Sequence, residues 1–300
     1  MLNRLDRCPL CGSLDFAPDF VAHCVRRADG REWHVVRCAA CTISFLNPQP
    51  DWIELQAYYT ADYDPYTADH SIETLEAEVA AARAKGEFRH IPIRPGLRLL
   101  DVGCGGGAFL KVARALGAEV YGVEPSEHGA AAARAQGLPV FHGQLHDYME
   151  AAPSGPRFDV VTANHVVEHH PSPVDALRQM SSLLAPGGYL WFAVPNGAGA
   201  TAAALKARWH SVDAPYHLVH FTPTAARLAV ERAGLKIRRL YTYSLPSALF
   251  ASLCDIWRYR YLAPRKLTQR LGVLKRLAER RARAMDEAGV GEAIIVEAAP

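Results

Sequence analysis

From Leu97 onward, short apolar runs alternate with segments whose apolar residues recur every three or four positions. Leu97-Arg98-Leu99-Leu100-Asp101-Val102 predicts a buried strand. It runs into Gly103-Cys104-Gly105-Gly106-Gly107 and a helix from Ala108 to Leu116, stopped by Gly117. Val120-Tyr121-Gly122-Val123 predicts a second strand, ending on Glu124. Ser126 caps the next helix and Gly137 closes it. Pro139-Val140-Phe141, Phe158 to Ala163 and Tyr189 to Val194 predict strands three to five. A helix starts at Ser172-Pro173 between the last two. Leu235 to Tyr243 and Ala293-Ile294-Ile295-Val296 complete the pattern. Strand–helix alternation of this kind predicts an α/β fold with a parallel, doubly wound sheet. Its ligand would lie over the carboxyl ends of the first strands.

Upstream the pattern changes. Phe20-Val21-Ala22-His23 and Trp33-His34-Val35-Val36 read as short strands, flanked by Cys8-Pro9-Leu10-Cys11 and Cys38-Ala39-Ala40-Cys41. Two CxxC knuckles can present four thiolates to one ion, so Cys8, Cys11, Cys38 and Cys41 predict a structural Zn2+ site of zinc-ribbon type. With four thiolates bound, no position stays open for catalysis. The metal would replace a core that so small a module cannot build. Cys24 reads as a buried or spare thiol. Asn47-Pro48-Gln49-Pro50-Asp51 then breaks the chain, and Asp51 with Glu54 forms a capping pair for a short helix. Tyr58, Tyr59, Tyr63 and Tyr66 follow, to pack between modules or to cover a ligand. A second helix begins at Ser71, with Leu75, Val79 and Ala82 at helical spacing. The expected organisation is a zinc ribbon at 1–48, a helical bridge at 49–94 and an α/β domain at 95–300, with a basic insert at 245–290.

Composition adds compartment and partners. At 300 residues the chain can build one large domain, or one medium domain plus a small one, and half of its residues are hydrophobic, so a core can form. The first residues form no secretory signal, and no apolar run is long enough to span a bilayer, which predicts the cytoplasm. Net charge is only +2, yet residues 257–285 hold ten Lys or Arg against one acid, Glu279. Leu267, Leu271, Leu274 and Ala278 form an apolar stripe there. A basic amphipathic helix suits an anionic ligand or a membrane surface. Packing of the stripe on the core is the plain alternative, and RNA phosphates are the least favoured partner.

The glycine loop alone does not choose a cofactor. Gly103, Gly105 and Ala108 satisfy the dinucleotide fingerprint, so a nicotinamide enzyme must be weighed. Against it, Asp101 directly precedes the loop, where an acid suits a ligand bearing an ammonium group. Glu124 ends the next strand, where a carboxylate can accept hydrogen bonds from both ribose hydroxyls.

In combination the motifs are more specific. Residues 99–107 (LLDVGCGGG), 120–126 (VYGVEPS), 158–169 (FDVVTANHVVEH) and 183–196 (LLAPGGYLWFAVPN) resemble, in order, the motifs of class I S-adenosylmethionine-dependent methyltransferases. The pattern is similar to that of the ubiquinone O-methyltransferase-like small-molecule group. The resemblance implies a Rossmann-like, seven-stranded methyltransferase sheet, S-adenosyl-L-methionine as cofactor and a small-molecule acceptor methylated on O, C or N. It implies that Asp101, Gly103 and Gly105 hold the methionine end and Glu124 the ribose. Gln144 and Leu145 fall at the adenine, and Asn164 and His165 beside the reacting methyl. Some relatives use an acid-rich version of the 165–169 loop to hold a divalent metal. His165 replaces an acid here, so that metal is not carried over. A zinc ribbon before such a domain also resembles sugar-nucleotide C-methyltransferases.

Methyl transfer needs a base only if the nucleophile arrives protonated. The candidates are His217 and His220, on a long loop that resembles the family's substrate loop, and His165. An RNA-modifying enzyme and a non-catalytic cofactor-binding protein are the alternative readings.

Overall fold

A computed structural model describes residues 2–24, 26, 29–60, 72–246, 249 and 272–300. The chain opens with β1 (Leu2–Asn3) and a meander of β2 (Phe16–His23), β3 (Glu32–Cys38) and β4 (Ser44–Leu46). Next come β5 (Gln49–Pro50), which pairs back with β1, and two helices, α1 (Trp52–Leu55) and α2 (Ile72–Lys85). The Asp51 side chain accepts the Glu54 N–H at 2.9 Å, the cap that the sequence predicts for α1.

The larger unit alternates β6 (Arg98–Val102), α3 (Ala108–Ala115), β7 (Glu119–Glu124), α4 (Glu127–Ala135), β8 (Val140–His142), α5 (Leu145–Ala151), β9 (Phe158–Asn164), α6 (Pro173–Ser182) and β10 (Leu184–Pro195). It continues with α7 (Ala200–Leu205), β11 (Val219–His220), α8 (Pro223–Arg232), β12 (Lys236–Tyr243), α9 (Gly272–Glu287) and β13 (Ala293–Ala299). The seven-stranded sheet has the order β12-β13-β10-β9-β6-β7-β8. Only β13 runs antiparallel to its neighbours. The parallel strands are buried on both faces. Leu100 and Val102 of β6 face one core with α6 and α8, whereas Leu99 faces the other with α3 and α4.

The N-terminal strands do not keep a core of their own. Trp33, Val35, Ile43, Phe45 and Leu46 are buried in the same cluster as Leu177, Phe192 and Phe221 of the larger unit. The four-stranded sheet has the order β11-β4-β3-β2, so its last strand comes from the long loop after α7. Periodicity does not reveal this, because β11 is two residues long and its partner lies far away in sequence.

The described part of the basic insert is residues 245–246, 249 and 272–290, most of it α9. Ala278, Ala282 and Met285 are buried with Leu249, while Lys275, Arg276, Arg280, Arg281 and Arg283 are exposed. Thus Ala278 of the expected stripe faces a core. Leu267, Leu271 and the side chain of Leu274 lie outside the described residues, as do Tyr63 and Tyr66. No helix among the described residues is long and apolar enough to cross a membrane.

Candidate functional site

The four predicted thiols converge. Cys8 and Cys41 Sγ are 3.6 Å apart, Cys11 and Cys38 Sγ 3.5 Å, and all four lie within 4.8 Å of one another. A tetrahedron with ~2.3 Å Zn–S arms has edges of ~3.8 Å, so the set fits a Zn2+ ion. Each knuckle turns tightly. The N–H of Gly12, at φ 76°, bonds the Cys8 carbonyl, and the N–H of Thr42, at φ 64°, bonds that of Cys38.

The glycine loop forms a cradle at the carboxyl end of β6. Gly103 sits at φ 68°, and a Cβ there would meet Val166 Cγ2 at 2.5 Å. Only glycine leaves this backbone bare and in this conformation. The Glu124 carboxylate accepts the N–H of Gly105 at 2.8 Å and that of Ser126 at 2.9 Å, which fixes its orientation at the end of β7. Asp101 accepts a hydrogen bond from Thr162 Oγ1 at 2.7 Å. Burial raises its carboxyl to about 6, against the hydrogen bond from Thr162 and the charge of Arg89. A buried acid raised in this way calls for a cation. Together with a bare main chain and a fixed carboxylate 23 residues on, it fits a ligand with an ammonium group and a ribose. Gln144 and Leu145 start α5, and the Gln144 N–H is held by Asp147 at 2.8 Å.

The end of β9 carries Asn164 and then His165, at φ 56°. His165 is 43% exposed, and its Nδ1 lies 3.1 Å from Glu168 Oε1, a carboxylate 1% exposed. Burial pushes the Glu168 acid up, but the hydrogen bond from His165 and the nearby His217 and His169 outweigh it and hold it below its ordinary value. Among the described residues, Glu168 Oε2 is buried with no hydrogen-bond partner. His217 comes from the other loop, with Nε2 3.9 Å from Glu168 Oε1 and Nδ1 2.8 Å from the Ser211 carbonyl. That carbonyl takes the Nδ1 proton, so the neutral ring keeps its lone pair on Nε2. His169 packs edge-on against His217, with ring centroids 4.7 Å apart, and its Nδ1 lies 3.0 Å from Tyr59 Oη. Burial first, and then the His217 charge, push His169 down to about 4. Glu168, His169 and His217 offer three ligand atoms within 4.8 Å of one another, a set that neither loop presents alone.

His220 lies at the edge of this array, its ring centroid 6.5 Å from that of His217. It is buried beside Phe20, donates Nε2–H to the Val212 carbonyl at 3.0 Å, and burial lowers it to about 4. Of the tyrosines, Tyr58 is buried against Trp33 and Tyr216, while Tyr59 reaches His169. Thr162 is a partner that sequence reading did not single out, although strand register places it opposite Asp101. Asp213, ion-paired to Arg26 across 187 residues, left no local signal.

A family model described as a methyltransferase domain matches residues 66–240. The ubiquinone biosynthesis O-methyltransferase of Proteus mirabilis is 34% identical over 131 residues, covering 42% of this chain and 51% of the relative. That of Ruegeria pomeroyi is 44% identical over 128 residues, covering 40% and 51%. The chain thus spans about half the length of the curated relatives it matches. Among solved structures, the cyclopropane synthase MmaA2 of Mycobacterium tuberculosis has a TM-score of 0.50 at 17% identity, covering 84% of this chain and 99% of that one. That likeness is one of fold alone.

Proposed function

This chain belongs to the class I S-adenosylmethionine-dependent methyltransferase family, and from that premise we propose that it methylates a small-molecule acceptor that arrives protonated, a hydroxyl first of all. When bound, the cofactor supplies an electrophilic methyl group on a sulfonium. Asp101 would face its ammonium group, with the main chain at Gly103 and Gly105 beside it. Glu124 would take the ribose hydroxyls, Gln144 and Leu145 the adenine, and Asn164 the methionine portion.

The observation that carries the acceptor reading is the pairing of exposed His165 with buried Glu168. A carboxylate on Nδ1 orients the ring, leaves Nε2 free to take a proton from the acceptor, and stabilises the imidazolium that results. We therefore assign His165 as the base and Glu168 as the group that positions it. His217, with its Nε2 beside the same carboxylate, would complete the wall of the site. His220 would have a packing role, because both its burial and its carbonyl partner remove it from solvent. A Zn2+ ion on Cys8, Cys11, Cys38 and Cys41 would be structural. The exposed cations of α9 support contact with an anionic group or membrane surface. Sedimentation with anionic vesicles that salt does not weaken would remove that reading.

The test is a panel of phenols, sugar hydroxyls and nucleotide-linked keto-sugars with methyl-labelled cofactor. Label on oxygen, lost in His165→Asn with S-adenosylhomocysteine binding kept, is the expected result. Label on carbon would move the acceptor to a carbon acid. No transfer to any acceptor would overturn the reading.

A further inference from the structure

The loop that carries His217 and His220 is held from outside its own domain. Arg26, just past β2, grips Asp213 with a fork: Nε lies 3.0 Å from Oδ1 and Nη2 lies 3.0 Å from Oδ2. The Asp213 side chain is 8% exposed. Its backbone is left-handed, at φ 35° and ψ 45°, and its carbonyl accepts the His217 N–H at 3.1 Å. The two preceding carbonyls do the same for the rings. Ser211 takes His217 Nδ1–H and Val212 takes His220 Nε2–H. Two consecutive carbonyls therefore set the imidazoles, and the next one, of the residue that Arg26 holds, sets the His217 main chain.

We propose that Arg26 of the N-terminal module is a positioning residue of the acceptor site: by fixing Asp213 it fixes the turn that sets the His217 tautomer and aims Nε2 at Glu168. The inference rests on the reading that this histidine-lined edge receives the acceptor. The geometry gives the ribbon a task inside the site rather than beside it. Pairing of β4 with β11 and the hydrogen bond from Tyr216 Oη to the Tyr58 carbonyl (2.8 Å) anchor the loop on either side of the fork. Neither touches residues 211–213, although the strand pairing also holds the His220 main chain. Removing Arg26 would leave the Asp213 carboxylate largely buried without its cation. That cost is relieved by opening the turn to water. The bidentate fork is a property of arginine that lysine does not share.

The test uses the full-length, zinc-loaded protein and reads the imidazole N–H protons of His217 and His220 by NMR, assigned with His217→Gln and His220→Gln. In Arg26→Met both protons should exchange with solvent about tenfold faster or more, as local opening of the turn requires. Arg26→Lys should restore part of that protection. Asp213→Asn tolerates the same backbone and should match Arg26→Met. S-adenosylhomocysteine affinity should stay within about twofold, since Arg26 and Asp213 lie away from the strand ends at Asp101 and Glu124 that would hold the cofactor. If Arg26→Met does not fold, Arg26→Lys and Asp213→Asn carry the comparison. Wild-type protection of both protons in the folded variants would overturn the proposal. So would an increase spread evenly over the backbone amides, which marks global loosening. Absence of S-adenosylhomocysteine binding by the wild type would instead overturn the methyltransferase reading, and the proton exchange would still judge the clamp.

Discussion

His165 Nδ1 lies 3.1 Å from Glu168 Oε1, and the imidazole is exposed while the carboxylate is not. The two are three residues apart, on the turn that follows β9, so a single local conformation sets their distance. In His165→Asn, turnover of a hydroxyl acceptor should fall roughly 10²–10⁴-fold, the usual worth of a positioned base. Glu168→Gln should lose less. Raising the pH above the acceptor's own ionisation should recover the His165→Asn rate, because an ionised nucleophile needs no base. A rate that stays low at high pH would show that His165 does something other than remove a proton.

Asp101 links stability to cofactor binding. Its carboxyl titrates at about 6 in the fold against an ordinary 3.8, mainly through burial. A raised acid favours the folded state below 3.8 and loses that contribution as pH rises through 6. At pH 8 the charged form therefore costs roughly 3 kcal/mol. Asp101→Asn should raise the denaturation midpoint of the ligand-free protein at pH 8 and abolish S-adenosylhomocysteine binding. In the wild type, calorimetry should show full affinity above pH 6 and a fall of about tenfold per unit below it. Affinity that is flat from pH 5 to 8 would remove Asp101 from the ammonium.

His220 gives the opposite slope. Burial lowers it to about 4 from an ordinary 6.5. A depressed base contributes stability that is full above 6.5 and is lost as pH falls through 4, up to about 3 kcal/mol. Urea midpoints of the wild type should decline over that window more steeply than those of His220→Gln. Parallel curves would show that His220 takes up its proton without cost.

At Gly103, a methyl group would meet both Val166 and a left-handed backbone. Gly103→Ala should cost about 1–2 kcal/mol in stability from the backbone alone. Because Val166 follows His165, S-adenosylhomocysteine affinity should fall as well, by about tenfold or more. Wild-type affinity in this variant would mean that the cradle is not where the cofactor lies.

Loss of a zinc ligand tests the ribbon. Cys38→Ser should release the metal, measured by elemental content, and lower stability by on the order of 4 kcal/mol. Since Phe45 and Leu46 share a core with Phe192 and Phe221, unfolding should remain one transition rather than split into two. A separate early transition for the ribbon would count against the shared core.

Much of this was set by the sequence alone. Asp101, the glycines and Glu124 each sit where a strand ends, so alternation of strands and helices was enough to bring them to one edge. Parallel strands must place their carboxyl ends together. The four cysteines were equally legible, because knuckle spacing is a local property of two turns. The pairing of His165 with Glu168 is also local, although the sequence could not say which histidine would be left exposed. That choice, the burial of His220, the reach of Tyr59 to His169 and the grip of Arg26 on Asp213 belong to the tertiary structure. They depend on residues up to 187 positions apart and on which side chains are sealed from water. Neither leaves a period or a spacing to read, since only packing in three dimensions decides which of several similar polar groups loses its solvent.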